Sequence, residues 1–333
     1  MEYTASTFTL NDQITIESLI RPETTGEIVT QIYRGLTADQ KYISSRFFYD
    51  SYGSELFEDI THLPEYYPTR TEISILKKNA SQLLHTLNEG DLIELGSGDC
   101  TKISVLLDAL PSGNLDSMRY IPVDISKTAI FKSARLLSQK YPRLTIHGMH
   151  ADFIHHLTSF PEGSKRMICF FGSTLGNFSR DAALQFLLDL KEMMEPGDEL
   201  LLGLDMVKDK EVLEDAYNDK EGITAAFNKN ILRSVNRYAK TNLDPDLFNH
   251  LAFYNEEKER IEMHLKARTD MEISSALWPD EVHIHKGETL HTENSHKYSK
   301  GRILDFSEAI GWEIADIFTD TNLWFSLVHF INS

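Results

Sequence analysis

The stretch Asp91-Leu-Ile-Glu-Leu-Gly-Ser-Gly-Asp-Cys-Thr-Lys102 decides the fold of this chain. It begins with a mostly apolar run, 92–95, which ends at the glycine-rich turn 96–98. Apolar residues at helical spacing follow immediately, among them Ile103 and Leu106. The pattern therefore predicts a strand, a tight turn and a helix, with backbone N–H groups of the turn facing a nucleotide-like ligand.

Two departures from a dinucleotide-binding fingerprint narrow the class of ligand. Thr101 occupies the position of the third glycine, and Glu94 precedes the turn, where a carboxylate would repel phosphate. An acid there suits a cationic ligand, or one with sugar hydroxyls and an ammonium group. The sequence at 94–98 resembles motif I of the Rossmann-like methyltransferases that bind S-adenosylmethionine, whose sulfonium is positive. An ordinary strand-turn-helix unit of another α/β protein stays open as the alternative at this point.

The composition excludes several classes of function. Of the 333 residues, 41% are hydrophobic and 25% are charged, as in ordinary globular proteins. The formal net charge of −18 would repel phosphate backbones, so we expect no nucleic-acid partner. Cys100 and Cys169 are too few for a disulfide framework, which favours a reducing, cytoplasmic location. Residues 1–20 lack the apolar segment of a signal peptide, and no apolar run has membrane-spanning length, so no membrane partner is expected.

The chain alternates strands and helices after residue 90. We predict strands at 92–95, 120–123, 144–149, 167–171 and 199–205, with helices at 101–110, 126–139 and 180–194. This alternation indicates a parallel sheet covered by helices, with ligands at the C-terminal ends of the strands. A helix at 301–310 then precedes strands at 314–318 and 323–330, an ending typical of the class I methyltransferase sheet.

The alternation breaks after Asp205, which indicates an insertion at 207–297 with its own elements. The insertion carries predicted helices at 208–218 and 224–240 and half-exposed strands at 261–267 and 282–285. We therefore predict an α/β protein in which a Rossmann-like class I methyltransferase sheet is joined by a second, α+β substrate domain. The methyltransferase (S-adenosylmethionine-binding) domain would comprise residues 71–206 plus 298–333, and the substrate-binding domain residues 18–70 plus 207–297.

The N-terminal part of the chain carries less regular signals. Residues 1–23 look loosely structured apart from a strand-like stretch at 13–16, whereas 25–36 has the apolar spacing of a helix. The aromatic-rich stretch 46–57 stands beside glycine and proline, which suggests a lid or pocket wall, although simple packing explains most such aromatic residues. Thr69 and Glu72 have capping-box spacing, so a helix should start there and continue to about residue 87.

Acidic residues follow the second and third predicted strands. Asp124 ends the second strand, roughly where such folds place an acid on ribose hydroxyls. Asp152-Phe153 follows the third strand and offers an adenine a polar contact and an apolar face. Aspartates also cap helices, so each residue alone is weak, but three successive strand ends together favour a nucleoside site. The fourth strand leads into Gly172-Ser-Thr-Leu-Gly-Asn177, not into the Asn/Asp-Pro-Pro-Tyr loop of nucleic-acid amino-methyltransferases.

A resemblance over most of the chain is more specific than the glycine turn. The runs Phe48-Tyr-Asp-Ser-Tyr-Gly-Ser-Glu-Leu-Phe57 and Leu63-Pro-Glu-Tyr-Tyr-Pro-Thr-Arg-Thr-Glu72 resemble the signature of the histidine Nα-methyltransferases of ergothioneine biosynthesis. Five further segments match that family in order: Glu94-Leu-Gly-Ser-Gly98, Gly172-Ser-Thr-Leu-Gly-Asn177, Gly222-Ile-Thr-Ala-Ala-Phe-Asn228, Glu259-Arg-Ile-Glu-Met263 and Thr292-Glu-Asn-Ser295. The resemblance implies a monomeric two-domain enzyme that uses S-adenosylmethionine to convert L-histidine to hercynine, its Nα-trimethyl betaine.

The resemblance also implies roles for individual residues. The cofactor-binding residues would be Glu94, Gly96, Gly98, Lys102, Asp124, Asp152 and Phe153. The substrate-binding residues would be Phe57, Tyr66, Gly172, Asn177, Tyr217, Thr224, Met263, Glu293 and Ser295, with Tyr49 and Asn177 as catalytic residues. Asn177 and Tyr217 would hold the carboxylate of the substrate. Tyr66, Glu293 and Ser295 would recognise the imidazole ring of the substrate. Residues 123–126 lack a second acid present in some relatives, which leaves the details of the ribose contacts open.

No metal is expected, and two rival functions remain open. His283 and His285 alternate on one predicted strand, without a thiolate or a paired carboxylate cluster, and His291 and His296 add no such ligand.

Methyl transfer from a sulfonium depends mainly on the alignment of two reactants and the exclusion of water. The rivals are methylation of another aromatic amino acid, such as tryptophan, and a catalytically silent S-adenosylmethionine-binding module. A complete set of pocket residues argues against the silent module.

Overall fold

The computed structural model describes residues 6–85, 87, 89–111, 113–161 and 165–333. Its strands are β1 (Ser6–Asn11), β2 (Ile14–Ser18), β3 (Gly90–Leu95), β4 (Met118–Asp124), β5 (Thr145–His150), β6 (Arg166–Phe170), β7 (Glu199–Asp205), β8 (Phe248–Asn255), β9 (Arg260–Ala267), β10 (Met271–Ile273), β11 (Val282–Ile284), β12 (Thr289–His296), β13 (Glu313–Thr319) and β14 (Phe325–Ile331). Its helices are α1 (Thr25–Leu36), α2 (Ser51–His62), α3 (Tyr67–Leu83), α4 (Thr101–Ala109), α5 (Lys127–Lys140), α6 (Arg180–Met193), α7 (Lys210–Asp215), α8 (Ile223–Ala239) and α9 (Lys300–Ile310).

The chain folds into two compact units. Unit 1 contains the N-terminal segment up to Arg21 together with residues 70–206 and 298–333. Unit 2 contains residues 22–69 and 207–297. Residues 18–21 and Arg70, which the sequence analysis placed in the substrate domain, belong to unit 1; residues 18–21 begin at the last residue of β2, which pairs with β5 of that unit.

Unit 1 is built on a nine-stranded sheet. Among the described residues, its strand order is β1-β2-β5-β4-β3-β6-β7-β14-β13. The neighbours from β2 through to β7 pair in parallel, whereas β14 pairs antiparallel with both β7 and β13. This arrangement confirms the predicted Rossmann-like class I methyltransferase sheet, including its two antiparallel closing strands.

Strand β3 occupies the centre of this sheet because both of its faces can be buried. Leu92 packs into one apolar core and Ile93 and Leu95 into another, as expected for side chains that alternate between faces. Leu106 of α4 belongs to the first core and Leu187 of α6 to the second. A continuous apolar run is typical of a parallel strand with helices on both sides, and the sequence predicted it for that reason.

The strand-like stretch predicted at 13–16 lies largely within β2, and a second strand, β1, lies where the sequence predicted only loose structure. β1 and β2 form an antiparallel pair, and β2 extends the sheet by pairing in parallel with β5. Each of these strands offers only two apolar residues to an alternating pattern, Phe8 and Leu10 in one and Ile14 and Ile16 in the other. Their position in the sheet comes from long-range pairing, which so short a pattern does not reveal.

Helix α3 begins at Tyr67 and not at the predicted cap, Thr69. Pro68 fits the first turn of a helix, where its missing N–H is not needed. The side chain of Glu72 is fully buried and interacts with Gly172 and Lys102 instead of a helix terminus. The capping-box prediction is therefore wrong, since long-range partners take the carboxylate.

Unit 2 combines helices with two small sheets. Its central helix α8 packs against α1, α2, β8 and β9. Strands β12, β9 and β8 form a three-stranded antiparallel sheet, and β10 pairs with β11. The aromatic stretch 46–57 runs into α2, whose cap Asp50 accepts hydrogen bonds from Gly53 N–H (2.9 Å) and from Asn230 Nδ2 of α8 (2.8 Å). Part of the predicted pocket wall is therefore a capped helix fixed to α8.

The longest helices are α3 and α8 among the described residues. α3 and α8 are each 17 residues long and carry charged side chains along their length. Within the described ranges, no helix has the combination of length and apolar character that a membrane crossing requires.

Candidate functional site

The glycine turn after β3 shapes the first part of the site, in unit 1. Gly96 and Gly98 have φ angles of +68° and +52°, in the left-handed region where a side chain is strained. The Gly96 N–H donates to the carbonyl of Val123 at 2.8 Å, and the Gly98 N–H donates to Oδ2 of Asp124 at 3.1 Å. A Cβ at Gly96 would lie 3.8 Å from the ring of Phe153, so the bare backbone keeps the space toward that ring open.

The next two strand ends contribute a carboxylate and an aromatic ring at the same edge of the sheet. Asp124 ends β4; its Oδ1 accepts from the Ser126 N–H at 2.7 Å, and burial raises the pKa of this carboxyl. Asp152 and Phe153 follow β5, the neighbour of β4, and the Phe153 ring packs edge to face on Phe170, 5.4 Å between centroids. Since parallel strands end at one edge, the three predicted strand ends lie side by side.

Glu94 lies among buried polar groups near the end of β3. The Tyr120 hydroxyl donates to its Oε2 at 2.5 Å. Burial raises the pKa of Glu94 to about 8, against the lowering effects of that hydrogen bond and of Lys102. The carboxyl is therefore largely protonated at neutral pH, and a cation bound nearby would favour its ionised form. The sequence suggested that Glu94 favours a cationic ligand. Such a ligand would have to offset the free-energy cost of ionising this buried carboxyl.

Sequence reasoning missed the part that Glu72 takes in this site. Its two carboxylate oxygens lie 3.0 and 2.9 Å from the Gly172 nitrogen, whose N–H donates to them. Lys102 Nζ lies 2.7 Å from Oε2. Gly203 of β7 makes room, because a Cβ there would lie 2.0 Å from Oε1 of Glu72. One buried carboxylate therefore fixes both a predicted cofactor-binding lysine and the loop after β6.

The loop after β6 also carries Asn177, at the end of the short turn Thr174–Asn177. Ser173 in this loop has a φ of +55°, and its hydroxyl accepts from the Asp205 N–H at 2.9 Å. This bond fixes the loop to the end of β7, while the side chain of Asn177 is exposed. Gly172 and Asn177 thus belong to unit 1, whereas the other predicted substrate residues belong to unit 2.

The aromatic residues predicted for the substrate pocket form a continuous series of ring contacts within unit 2. Tyr49 lies 6.0 Å from Phe57, and Phe57 lies 6.4 Å from Tyr66. Tyr66 in turn lies 6.3 Å from Tyr217, and all three pairs are edge to face. Phe227, which the sequence analysis did not assign, contacts both Tyr49 and Phe57 at 6.0 and 5.9 Å. Edge-to-face aromatic pairs contribute stabilisation in addition to that from their buried apolar area. The rings of this series therefore hold one another in place as one wall within unit 2.

Helix α8 places Thr224 and Phe227 on one face. The two residues are three positions apart, which is the spacing of neighbours on a helix surface. Thr224 is buried in the first turn, where its N–H donates to Oδ1 of Asp219 at 2.8 Å. The helical spacing from Thr224 is the signal that would have found Phe227.

A β-bulge in β12 decides which face of the three-stranded sheet receives Glu293. His291 lies opposite His264 of β9, but Glu293 lies opposite Met263, so Thr292 is an extra residue between them. His264 and Met263 are consecutive and point to opposite faces of the sheet. The bulge therefore moves Glu293 to the face of Met263, away from that of His291.

Asn228 of α8, a second residue that the sequence analysis did not assign, holds this bulge. Its side chain is fully buried, and its Oδ1 accepts from the Thr292 hydroxyl at 2.7 Å. Its Nδ2 donates to the carbonyl of His264 at 3.0 Å and contacts Nδ1 of His250 at 2.9 Å. The other ring nitrogen of His250 lies 2.8 Å from the carbonyl of Tyr217. A single amide thus connects the bulge to the segment that carries Tyr217.

Glu293 and Ser295 lie two residues apart on β12 and share a face. Burial raises the pKa of Glu293 to about 7, and the nearby Lys297 acts to lower it. Across the part of the chain that the structure describes, no hydrogen-bond donor is directed at the Glu293 carboxylate. Glu293 is only partly buried, so its carboxylate is accessible and a ligand N–H can supply the missing partner.

The hydroxyl groups beside Glu293 are already connected to each other. Tyr217 OH donates to Ser295 Oγ at 2.9 Å. Lys297 Nζ donates to the same oxygen at 2.8 Å and to the Tyr217 hydroxyl at 3.3 Å. All three side chains are buried, and Lys297 is a member of this group that the sequence analysis did not assign.

Comparison with known proteins decides the family. The profile described as "Histidine-specific methyltransferase, SAM-dependent" matches residues 28–332. The chain belongs to this family.

Two bacterial histidine N-alpha-methyltransferases agree with this assignment. The chain is 42% identical over 264 residues to the histidine N-alpha-methyltransferase of Mycolicibacterium smegmatis, which covers 79% of this chain and 82% of that protein. It is 39% identical over 285 residues to the protein of the same name from Mycobacterium tuberculosis, with 85% and 86% covered. It is 27% identical over 309 residues to the 4-dimethylallyltryptophan N-methyltransferase of Aspergillus fumigatus, with 88% and 90% covered. The solved CcbJ methyltransferase of Streptomyces caelestis aligns with a TM-score of 0.45 at 11% identity, covering 78% of this chain and 96% of that one.

The edge of the sheet in unit 1 fits the S-adenosylmethionine on which this histidine-specific methyltransferase family depends. The side chain missing at Gly96 leaves space beside the Phe153 ring, where a flat base can pack. The Asp124 carboxylate at the next strand end offers acceptor oxygens for ribose hydroxyls. The residues present are therefore suited to a positively charged nucleoside.

One cluster in this member of the family resembles a metal site in composition. Single ligand atoms of Glu262, His264 and His291 lie within 4.8 Å of one another. Arg260, however, donates two hydrogen bonds to Oε1 of Glu262, at 2.9 and 2.7 Å, and His264 Nε2 lies 3.2 Å from Oε2. Burial acts to raise the pKa of Glu262, but Arg260 and His264 hold it at about 2. A guanidinium already neutralises this carboxylate, so we interpret the cluster as an ion-paired network.

Proposed function

We propose that the chain catalyses the Nα-trimethylation of L-histidine to hercynine, a step in ergothioneine biosynthesis. The observation that carries the proposal is the partly buried Glu293 carboxylate, which has no donor among the described residues and lies next to the Ser295 hydroxyl. A carboxylate and a hydroxyl on one face complement the two nitrogens of an imidazole. The names of the relatives at 42% and 39% identity support the same substrate.

The cofactor-binding role belongs to unit 1 in this proposal. Asp124 accepts from the ribose hydroxyls, while Asp152 and Phe153 hold the adenine. The glycine turn contributes Gly96 and Gly98, and a further pair of residues, Glu94 and Lys102, completes the set. The support for these assignments is that the strand ends of β3, β4 and β5 are adjacent and that Glu72 fixes Lys102.

The substrate-binding role falls mainly on the ring series of unit 2. Tyr66, Glu293 and Ser295 contact the imidazole, and the pocket is lined by the residues that follow: Phe57, Thr224, Phe227 and Met263. Asn177 of unit 1 holds the carboxylate; we assign Tyr217 to the wall around the ring instead of to the carboxylate, because its single O–H donates to Ser295 Oγ at 2.9 Å. Gly172 offers a backbone carbonyl near the amine, and Tyr49 and Asn177 act on the amine as catalytic residues.

The chemistry assigned to these residues is alignment and control of a proton. When bound, S-adenosylmethionine supplies the methyl group: a C–N bond forms to the amine, the C–S bond breaks, and its electron pair stays on sulfur. Each round requires the neutral amine, so the proton released by nitrogen must leave before the next transfer. Tyr49 and Asn177 can exchange hydrogen bonds with the amine without adding a negative charge that would hold its proton. Holding the substrate by its carboxylate and ring leaves the nitrogen free to gain three methyl groups.

A second candidate substrate is an aromatic amino acid of the tryptophan type. The observation that favours it is the relative from Aspergillus fumigatus, whose name specifies a tryptophan derivative. The feature that discriminates is the pair Glu293 and Ser295, because an indole can donate its one N–H to the carboxylate but has no bare ring nitrogen to accept from the Ser295 hydroxyl. A catalytically silent module is the third candidate, and it has no need of a ring-reading acid.

Incubation of the protein with S-adenosylmethionine and a panel of free amino acids separates the three candidates. The expected product is trimethylated histidine, with fragment ions that place all added mass on the α-nitrogen. Methylated tryptophan without methylated histidine would favour the second candidate. Binding of S-adenosylhomocysteine without any methylated amino acid would favour the third.

We further propose that the enzyme acts as a monomer in the cytoplasm. Both cysteines, Cys100 and Cys169, are buried and unpaired, which suits a reducing compartment. Light scattering coupled to gel filtration should give the mass of a single 38.1 kDa chain. A mass of twice that value or more would contradict the monomer.

A further inference from the structure

A buried lysine lies beside the residues assigned to the imidazole. Lys297 directly follows β12, is only 3% exposed, and continues the alternation that puts Glu293 and Ser295 on one face. Its ammonium lies 5.1 Å from the centroid of the Tyr217 ring. Two titratable groups that face it are Glu293, from β12, and Tyr217, from the segment after α7.

The hydrogen bonds of this lysine fix the direction in which Ser295 can bond. An ammonium only donates, so Ser295 Oγ accepts from Lys297 at 2.8 Å. The same oxygen accepts from the Tyr217 hydroxyl at 2.9 Å. A serine oxygen has two acceptor positions, and both are used. Ser295 can therefore form one more hydrogen bond, in which its own O–H donates to a ligand.

We propose that Lys297 is a specificity-determining residue that restricts the ring site to an uncharged ring with one N–H and one bare nitrogen. The inference rests on the proposed function, in which Glu293 and Ser295 contact the imidazole. Glu293 accepts from the ring N–H, and Ser295 donates to the bare nitrogen. An imidazolium has two N–H groups, so its second N–H would face the O–H of Ser295, and its positive charge would lie near the Lys297 ammonium.

A matched pair of ligands tests this directly. Histidine is compared with 1,2,4-triazol-3-yl-alanine, whose ring also has an N–H and a bare nitrogen but stays neutral from pH 8 to pH 5.5. Calorimetry measures both dissociation constants on the enzyme saturated with S-adenosylhomocysteine, at each end of that range. The two ligands share the amine and the carboxylate and meet the same Glu293, so the ratio of the constants reports the charge of the ring.

The wild-type enzyme should lose about tenfold in affinity for histidine relative to the triazole at pH 5.5. The reason is that a histidine ring titrates near pH 6.5, so about one-tenth of it is neutral one unit lower. A ratio that does not change with pH would overturn the inference. If histidine is nevertheless bound and methylated at pH 8, only the role of Lys297 fails. If neither ligand binds at pH 8, the proposed function itself fails.

Two variants separate the charge of Lys297 from a merely structural role. Lys297→Met removes the ammonium and frees an acceptor position on Ser295, so the imidazolium should be admitted and the change in ratio should fall to about twofold or less. Lys297→Arg keeps the charge and the donors, so the full tenfold change should persist. A Lys297→Met protein that binds both ligands and keeps the tenfold change would overturn the inference. If that variant does not fold, the wild-type ratio decides.

Discussion

The substitution Glu72→Gln tests whether one buried carboxylate organises the cofactor edge of unit 1. Glutamine has the same shape, so it can still accept from the Gly172 N–H with its amide oxygen. Its NH2 group, however, would face Lys102 Nζ, which now lies 2.7 Å from a carboxylate oxygen. The change therefore removes a charge and sets two donors against each other without opening a cavity.

The expected cost follows from the burial of the pair. The Glu72 side chain is 0% exposed and that of Lys102 is 19% exposed. Removing one partner of a fully buried pair costs about 3–5 kcal/mol, and the partial exposure of the lysine reduces this to about 2–4 kcal/mol. At about 2.1 cal/mol/K of unfolding entropy per residue, each kcal/mol lowers the Tm of a 333-residue chain by about 1.4 °C, so we expect a loss of roughly 3–6 °C.

Thermal unfolding followed by circular dichroism measures the loss, and calorimetry measures the affinity for S-adenosylhomocysteine, which should fall as well. The control is Glu308→Gln, an exposed position on α9, where both quantities should stay at their wild-type values. A Glu72→Gln protein with wild-type Tm and wild-type affinity would refute the reasoning, because Lys102 would not depend on its partner.

Three further predictions concern the ligands and pH. Asp124→Ala should weaken S-adenosylhomocysteine binding, since each hydrogen bond from a ribose hydroxyl to the carboxylate contributes about 1.5–3 kcal/mol; unchanged affinity by calorimetry would remove Asp124 from the site. Glu293→Leu combined with Met263→Val should lower kcat/KM for histidine and raise it for tryptophan, and an unchanged ratio would mean that Glu293 does not read the ring. Folding raises the pKa of Glu293 from 4.5 to about 7, so the stability linked to its proton is present below pH 4.5 and is lost as pH rises through 7. Glu293→Gln should therefore raise Tm relative to wild type more at pH 8 than at pH 5, and equal differences at the two values would contradict the assigned burial.

The sequence predicted the sheet well because its signals there are local and redundant. An apolar run such as β3 can be stable only when buried on both faces, and glycines with positive φ mark the turn that follows it. The aspartates at 124 and 152 were predictable for a similar reason, since the ends of parallel strands meet at one edge. The order of helices and strands then left few arrangements of the sheet open.

The parts that the sequence did not reveal depend on contacts between distant segments. The spacing of Glu72 from Thr69 suggested a helix cap, but its partners, Gly172 and Lys102, are 100 and 30 positions away. The face on which Glu293 lies depends on the bulge at Thr292, which is held by Asn228 of another element, 64 positions earlier. Local spacing contains neither fact.

The number of methyl groups transferred to one histidine tests the central claim most directly. The reaction contains an excess of S-adenosylmethionine over histidine and runs until all histidine is consumed. The amount of S-adenosylhomocysteine formed and the masses of the products are then measured. We predict three S-adenosylhomocysteine molecules per histidine consumed and a single final product trimethylated on the α-nitrogen. A final ratio of one or two, with monomethyl- or dimethyl-histidine that is never consumed, would contradict the account.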